Sequence, residues 1–262
     1  MSALSLALPR GVDPVRRRRS LREAHTAFLD QVDVSAIVRP VVLDSWQRSA
    51  ALGVDPDGAG PPVILVDDSL AEARERSPLR RIMPLVEALM WKDAEDSGVI
   101  VTVSDAVGNL LWVDGDRSLC RRAERIHLMP GAVWTEQSVG TAAPGTALAV
   151  DQTVQIFGGE HYSRIVQPWS CTAGAIHDPS TRAVIGVLNI TGHTEIASPQ
   201  AAILMRATIA AIEAELRLAG LAPDLGPTRP RRSPAHLSTL GRDRGVLACD
   251  GRRIELSLRH TE

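Results

Sequence analysis

The sequence is poor in lysine and in cysteine. Lys92 is the only lysine among 29 basic residues, and Cys120, Cys171 and Cys249 are the only cysteines in 262 residues. These three cysteines contain no CxxC pair, and an odd number cannot form a closed disulfide framework. The composition therefore excludes a small disulfide-stapled secreted domain and favours a reducing cytoplasm.

Long apolar runs are also missing from the chain. No segment approaches the roughly 18 to 20 apolar residues that cross a bilayer, and the arginine run Arg16–Arg19 follows the first apolar stretch instead of preceding it. A secretory signal has the opposite order. We therefore expect a cytoplasmic protein with no membrane partner.

Motifs for catalysis or metal binding are absent from the sequence. A nucleophile elbow, an HExxH helix and metal-ligand spacing of histidine and cysteine are not found. The glycine-rich segment 140–146 has Thr146 where a phosphate loop needs a lysine. We predict that the protein is not an enzyme and holds no zinc, and no cofactor is indicated, although haem bound through one histidine stays open.

The sequence does contain clear helical and β-strand periods. A composition with 44% apolar residues is sufficient for a core. Apolar residues recur at helical spacing near both ends, and β-type runs between them form two hairpins. This order predicts an α+β fold with an antiparallel sheet and flanking helices. The predicted helices cover 13–31, 37–49, 68–91, 116–126, 138–150 and 199–220, and the predicted strands cover 99–105, 110–114, 154–157, 171–176 and 184–191. We expect Pro78 and Pro84 to divide or kink the helix over 68–91.

Changes in composition divide the chain into four parts. We expect a helical region over 1–67, the main α+β domain over 68–220, a Pro/Gly-rich linker over 221–236, and a further basic region over 237–262. Within the last region, residues 245–256 predict a two-strand hairpin that turns at Asp-Gly. Residues 229–262 carry eight arginines against four acids, which favours an anionic partner.

Ser257 near the end of the chain resembles a helix N-cap. Since a helix would begin there and the sequence stops at Glu262, we expect either a truncated gene product or an engineered fragment.

Seven short segments carry a family resemblance. They are DSWQR (44–48), LMPGAVW (128–134), VGT (139–141), GTALA (145–149), EHY (160–162), PWSC (168–171), and DP (178–179) with GVL (186–188). In this order they resemble the sensory half, a GAF domain, of acetoin- and glycerol-type operon activators. Residues 237–262 resemble the opening of a winged helix-turn-helix domain of actinobacterial regulators. The resemblance implies a one-component transcription regulator that senses a small molecule and binds DNA through the complete C-terminal domain of the intact protein.

Eight residues are candidates for ligand binding in the cavity that the resemblance implies. The tryptophans lie on a hairpin or on loops that would border a sheet-floored cavity, and the polar residues would orient a small molecule. For the tryptophans core filling remains an alternative, and for the histidine a purely structural role. The cysteine is either a redox sensor or an inert buried thiol. The eight are Trp112, Trp134, Glu136, Thr141, His161, Tyr162, Trp169 and Cys171.

The small residues over 140–146 also have two interpretations. They allow a helix start to approach the sheet, or their free backbone N–H groups hold a polar ligand. The segment departs from the family pattern at Ala142, where Asn is usual, and at Pro144, where an aliphatic residue is usual. These departures favour a second hypothesis, a ligand-free dimerisation scaffold. In either hypothesis we expect a homodimer formed through helices 15–31 and 199–220.

Overall fold

The computed structural model describes residues 6–221 and the strand residues 236–239, 244–249 and 252–257. Most of the predicted linker, the Asp250-Gly251 turn and the helix start expected after Ser257 lie outside the described residues. The chain divides into two compact units, Met1–Leu218 and Ala219–Glu262, and the domain boundaries at 67, 220 and 236 stay predictions.

Helices and strands alternate irregularly along the first unit. The α-helices are α1 Pro14–Leu29, α2 Pro40–Ala51, α3 Asp67–Arg76, α4 Met83–Val86, α5 Lys92–Ser97, α6 Arg117–Ala123, α7 Glu136–Val139, α8 Ala143–Val150 and α9 Pro199–Leu221. The strands are β1 Val99–Asp105, β2 Leu110–Gly115, β3 Val154–Phe157, β4 Ser170–His177 and β5 Val184–Gly192. Short 3₁₀ turns and one π-helical turn, Glu87–Trp91, join them.

The five strands form one antiparallel sheet in the order β2-β1-β5-β4-β3. Both predicted hairpins are present, β1 with β2 and β4 with β5. The predicted α+β class, an antiparallel sheet with flanking helices, is confirmed. Because successive side chains of a strand point to opposite faces, the buried strands separate two hydrophobic clusters.

The two faces of the sheet have different covers. We call the first the loop face: Ile100 and Cys171 lie on it and pack with α1, α2 and the segments between β2 and β4. We call the second the helix face: Val101 and Leu188 lie on it and pack with the helical segment 78–97 and α9. The sheet therefore separates the core into two halves.

The N-terminal helices belong to the same core as the sheet. Asp13 caps α1 by accepting hydrogen bonds from the backbone N–H groups of Val15 and Arg16, as short acidic side chains do at helix starts. On α2, Val42 and Trp46 are fully buried in the loop-face cluster. Helices α1 and α2 thus cover the loop face.

Two predicted helices are interrupted. The helix predicted over 138–150 is wrong at 140–142, because Gly140 has a φ of 70° and Ala142 is extended, so that α7 and α8 are separate. The helix predicted over 68–91 breaks at Ser77, which is also extended. The residue before a proline disfavours the helical region, and Pro78 follows Ser77.

The second unit contains a three-stranded antiparallel sheet of β6 His236–Thr239, β7 Arg244–Cys249 and β8 Arg252–Ser257. The predicted hairpin is the pair β7 and β8, and β6 adds a strand that the sequence pattern did not indicate. The assignment of this unit to a winged helix stays a prediction. Among the described helices, none has the length and apolar character to cross a membrane.

Candidate ligand-binding site

Four of the predicted site residues meet in the interior on the loop face. Trp134, Tyr162, Trp169 and Cys171 belong to one hydrophobic cluster, and each is at most 4% exposed. They come from two stretches of the chain, the loop at Trp134 and the stretch 162–171, and both pack in the cluster that α1 and α2 cover.

The two tryptophans have polar and cationic neighbours as well as apolar ones. The indole Nε1 of Trp134 donates a hydrogen bond to the carbonyl of His127 over 3.0 Å. The guanidinium of Arg122 lies 5.2 Å from the ring centre of Trp169, in cation–π contact. Both rings are ordered by these contacts, which suit a pocket wall as well as a packed core.

Glu136 and Thr141 are held by α2. Arg48 donates two hydrogen bonds to the Glu136 carboxylate, over 2.7 and 2.8 Å. Ser45 donates a third over 2.5 Å, and its hydroxyl lies 2.7 Å from that of Thr141. The DSWQR segment of the family resemblance therefore fixes the loop that carries Trp134 and the start of α8.

Gly145 allows α8 to approach that loop closely. A Cβ atom at position 145 would lie 2.7 Å from the carbonyl carbon of Thr135 and 2.7 Å from the amide nitrogen of Glu136. Backbone atoms cannot move aside as a flexible side chain can. This contact favours the packing interpretation of the small-residue segment.

His161 and Tyr162 lie beneath α1 and α2. His161 is fully buried, its Nδ1 is 3.0 Å from the carbonyl of Gly158, and burial lowers its pKa to about 4, so it is neutral at physiological pH. The Tyr162 ring packs edge-on against His25 at 5.7 Å. Tyr162 also borders a surface cleft of about 520 Å³ between α1 and α2.

Trp112 lies apart from the other predicted residues. In the β1–β2 register it is opposite Val103, and Val103 belongs to the helix-face cluster against which Trp112 packs. The next residue, Val113, points to the loop face. Because adjacent residues of a strand point to opposite faces, Trp112 lies on the helix face. The other seven candidate residues lie on the loop-face side.

Cys171 has the surroundings of an inert thiol. Its Sγ lies 3.3 Å from the hydroxyl oxygen of Thr191, and burial raises its pKa to about 12. Because the thiolate is the reactive form, this environment argues against the redox interpretation.

The structure adds four residues that sequence reasoning missed. Thr102, Ser104, Asn189 and Thr191 lie together at the centre of the loop face and are each 1% exposed. They occupy alternate positions of β1 and β5. Polar residues at every second position of otherwise apolar strands are the signal that could have found them.

The fold is a five-stranded antiparallel sheet that is covered on both faces. Residues 16–214 match the family described as "MimR, N-terminal domain". The chain belongs to this family.

Two relatives show the extent of the similarity. A 47.3 kDa protein encoded in the thcA 5′ region of Rhodococcus erythropolis is 42% identical over 98% of this chain and 60% of its own length. AcoR, the acetoin dehydrogenase operon transcriptional activator of Bacillus subtilis, is 33% identical over 72% of this chain and 31% of its own length. The chain therefore spans only part of the length of these relatives. The homologues with a functional name are transcription regulators, which confirms the prediction that the protein is not an enzyme.

One solved structure shares the fold. The E. coli DhaR(N) structure, solved as a complex with DhaL, has a TM-score of 0.64 at 18% identity and covers 70% of this chain and 62% of that chain. At this identity the likeness shows the fold alone. It matches the α+β arrangement described above.

Proposed function

We propose that this chain is the small-molecule-sensing part of a one-component bacterial transcription regulator that acts in the cytoplasm. The ligand binds between the loop face and the segment 116–146 that covers it. Binding favours one arrangement of α9 in a homodimer, and the complete C-terminal domain of the intact protein binds DNA. A ligand changes such an equilibrium only by the difference in its affinity for the two arrangements.

The observation that carries this proposal is the position of β5 between the two halves of the core. Asn189 points to the loop face, while its neighbours Leu188 and Ile190 point to the helix face and pack in the same cluster as Met205 and Ile209 of α9. A displacement of β5 by a ligand would therefore reach α9 through directly packed side chains. α9 ends at Leu221, and the second unit begins in the sequence at Ala219, within the last turn of this helix.

We propose that α9 provides most of the dimer contact and that α1 provides less of it. Leu21 and Ala24 of α1 are buried within their own domain, so that stripe is already covered. On α9, Leu204 is 49% exposed and Leu218 is 64% exposed. Both lie on one side of the helix, because fourteen residues complete about four turns.

A test of this contact compares Leu204→Glu with Leu89→Glu. Leu89 is an equally exposed leucine, at 46%, on the π-helical turn. We expect sedimentation velocity to show a monomer for Leu204→Glu and a dimer for both Leu89→Glu and the wild type. A wild-type monomer at tens of micromolar would contradict the dimer.

The second candidate function is a scaffold without a ligand. It is favoured by the contacts of Trp134 and Glu136, which are already satisfied within the protein, and by Ala142 and Pro144, which fit the start of α8 without any partner. Such a domain would dimerise, and no small molecule would change its stability.

Native mass spectrometry and thermal unfolding of freshly purified protein distinguish the two functions. Sensing predicts a mass excess that disappears on denaturation, and a melting temperature that falls after the small molecule has been removed by dialysis. A mass equal to that of the polypeptide, with an unchanged melting temperature throughout a screen of metabolites, would support the scaffold.

A further inference from the structure

The centre of the loop face is polar, although the strand residues beside it are apolar. We call Thr102, Ser104, Asn189 and Thr191 the polar floor. Thr102 is directly opposite Asn189 in the β1–β5 register, Thr191 is two residues further along β5, and Ser104 is opposite Val187. Ser104 and Asn189 are thus diagonal neighbours, about 7–8 Å apart between their Cα atoms.

Hydrogen bonds satisfy only part of this floor. The Asn189 Nδ2 group donates to the hydroxyl oxygens of Thr102, over 3.2 Å, and Thr191, over 3.0 Å. The Asn189 Oδ1 atom and the Ser104 hydroxyl are buried and have no hydrogen-bond partner among the described residues. A buried acceptor without a partner is costly, so these two atoms need an explanation.

The opposite face of the same sheet shows how an amide is satisfied when its role is structural. The Gln155 Nε2 group donates to the carbonyl of Ser198 over 2.8 Å and to the Thr172 hydroxyl over 3.2 Å, and its Oε1 accepts from the backbone N–H of Ala7 at 3.4 Å. Both ends of that amide are used. In Asn189 only the nitrogen end is used by the residues that the structure describes.

We infer that the polar floor is the recognition element of the sensory site and that Asn189 and Ser104 together bind one hydroxyl or amide group of a small neutral ligand. This inference rests on the proposed function and specifies its ligand class. The ligand O–H or N–H donates to Asn189 Oδ1, and its oxygen accepts from the Ser104 hydroxyl.

The surroundings of the floor specify a neutral ligand with an apolar body. The described strand residues of the loop face that surround the floor carry no charge, and a charged group there would lose its hydration without an ion-pair partner. The nearest rows contain Ile100, Val113, Ala173 and Val187. Glu136 already pairs with Arg48. An apolar portion would therefore pack on these side chains while one polar group reaches Asn189.

The test uses the full chain and matched neutral fragments. The probes are cyclohexanol with methoxycyclohexane, and propionamide with N,N-dimethylpropionamide; in each pair the second member lacks the donor hydrogen. Cyclohexanecarboxylate is the charged probe. Dissociation constants come from saturation-transfer NMR titrations of the wild type, Asn189→Leu, Ser104→Ala and the control Thr208→Val. Thr208 is a hydroxyl residue of α9 that is equally buried, at 3% exposed.

We expect the wild type and Thr208→Val to bind the donor member of each pair roughly 2- to 10-fold more tightly than its partner, as one net hydrogen bond would give. Asn189→Leu should lose this preference. Ser104→Ala, which removes a single hydroxyl and so preserves the fold, should reduce it. The carboxylate should bind more weakly than cyclohexanol.

The other outcomes separate the two levels of the proposal. If fragments bind but the preference is absent, or survives in both floor variants, or the carboxylate binds most tightly, the inference about Asn189 is wrong and the sensing function stands. If no probe and no metabolite binds the wild type, the sensing function itself fails.

Discussion

The Glu136 carboxylate accepts one hydrogen bond on each oxygen from the Arg48 guanidinium, Nε to Oε2 at 2.7 Å and Nη2 to Oε1 at 2.8 Å. The two residues differ in burial: the Glu136 side chain is 7% exposed and that of Arg48 is 40% exposed. This pair connects α2 to the first residue of α7. Removing the Arg48 cation and removing the Glu136 charge should therefore reduce stability by different amounts.

Arg48→Ala should destabilise the protein more than Glu136→Gln. The first change leaves a buried carboxylate without its cation, and we expect a loss of about 3 kcal/mol, at the lower end for broken buried pairs because Arg48 is partly exposed. The second leaves a neutral acceptor and an arginine that can turn to water, for which we expect about 1 kcal/mol. Urea unfolding measures both. Arg19→Ala, which removes an exposed i,i+4 pair with Glu23, is the control and should have little effect. Equal losses for the two Arg48–Glu136 variants would contradict the argument.

Gly145→Ala should be destabilising by about 2 kcal/mol or more. The added methyl would meet the backbone of Thr135 and Glu136 at 2.7 Å, and overpacking of this kind typically costs 1–3 kcal/mol. Gly220→Ala is the matched control, since it has open space within 4 Å and lies in α9. Thermal unfolding should show a lower melting temperature for the first variant and no decrease for the second. A neutral Gly145→Ala would indicate that α8 can move away from the loop.

His177 should make stability depend on pH. Partial burial lowers its pKa, but hydrogen bonds to Glu213 and Asp151 outweigh this, so that the pKa is raised above its ordinary value. Its ring nitrogens lie 2.8 Å from Glu213 Oε1 and 2.6 Å from Asp151 Oδ1, and Arg182 approaches Glu213 at 3.8 Å. The contact joins β4 to α9.

Because the folded state binds the His177 proton more tightly, the stabilisation is full below the unfolded-state pKa and is lost as the pH rises through the raised folded-state pKa. The difference in melting temperature between the wild type and His177→Gln should therefore be larger at pH 6 than at pH 9. His193→Gln, at an exposed position, should show no comparable difference. A gap that widened toward pH 9 would mean that the folded-state pKa is lowered.

Cys171 should resist alkylation in the native protein. Burial raises its pKa to about 12 and keeps it protonated. Burial also raises the pKa of Cys120, which is only partly buried and so remains accessible. With iodoacetamide at pH 8, peptide mapping by mass spectrometry should show modification of Cys120 long before Cys171. Labelling of Cys171 at the rate found in urea would show that the loop face opens readily.

Periodicity was enough to find four strands of the main sheet and the longest helix. The β-periods of 99–114 and 171–191 predicted β1, β2, β4 and β5, and the helical stripe of 199–220 predicted α9, because each pattern repeats locally. The helix predicted over 138–150 failed at Gly140, where backbone geometry and packing against Tyr162 override the apolar pattern.

The sequence by itself determined the α+β class and the family, since alternation and short motifs are local properties of the chain. It also indicated the interior residues Trp134, Trp169 and Cys171. Only the tertiary structure decided that Trp112 faces the other way, that Arg48 pairs with Glu136, and that the oxygen of Asn189 has no hydrogen-bond partner within the described part of the chain. These are relations between strands and helices many residues apart, and they depend on register and packing that no local pattern contains.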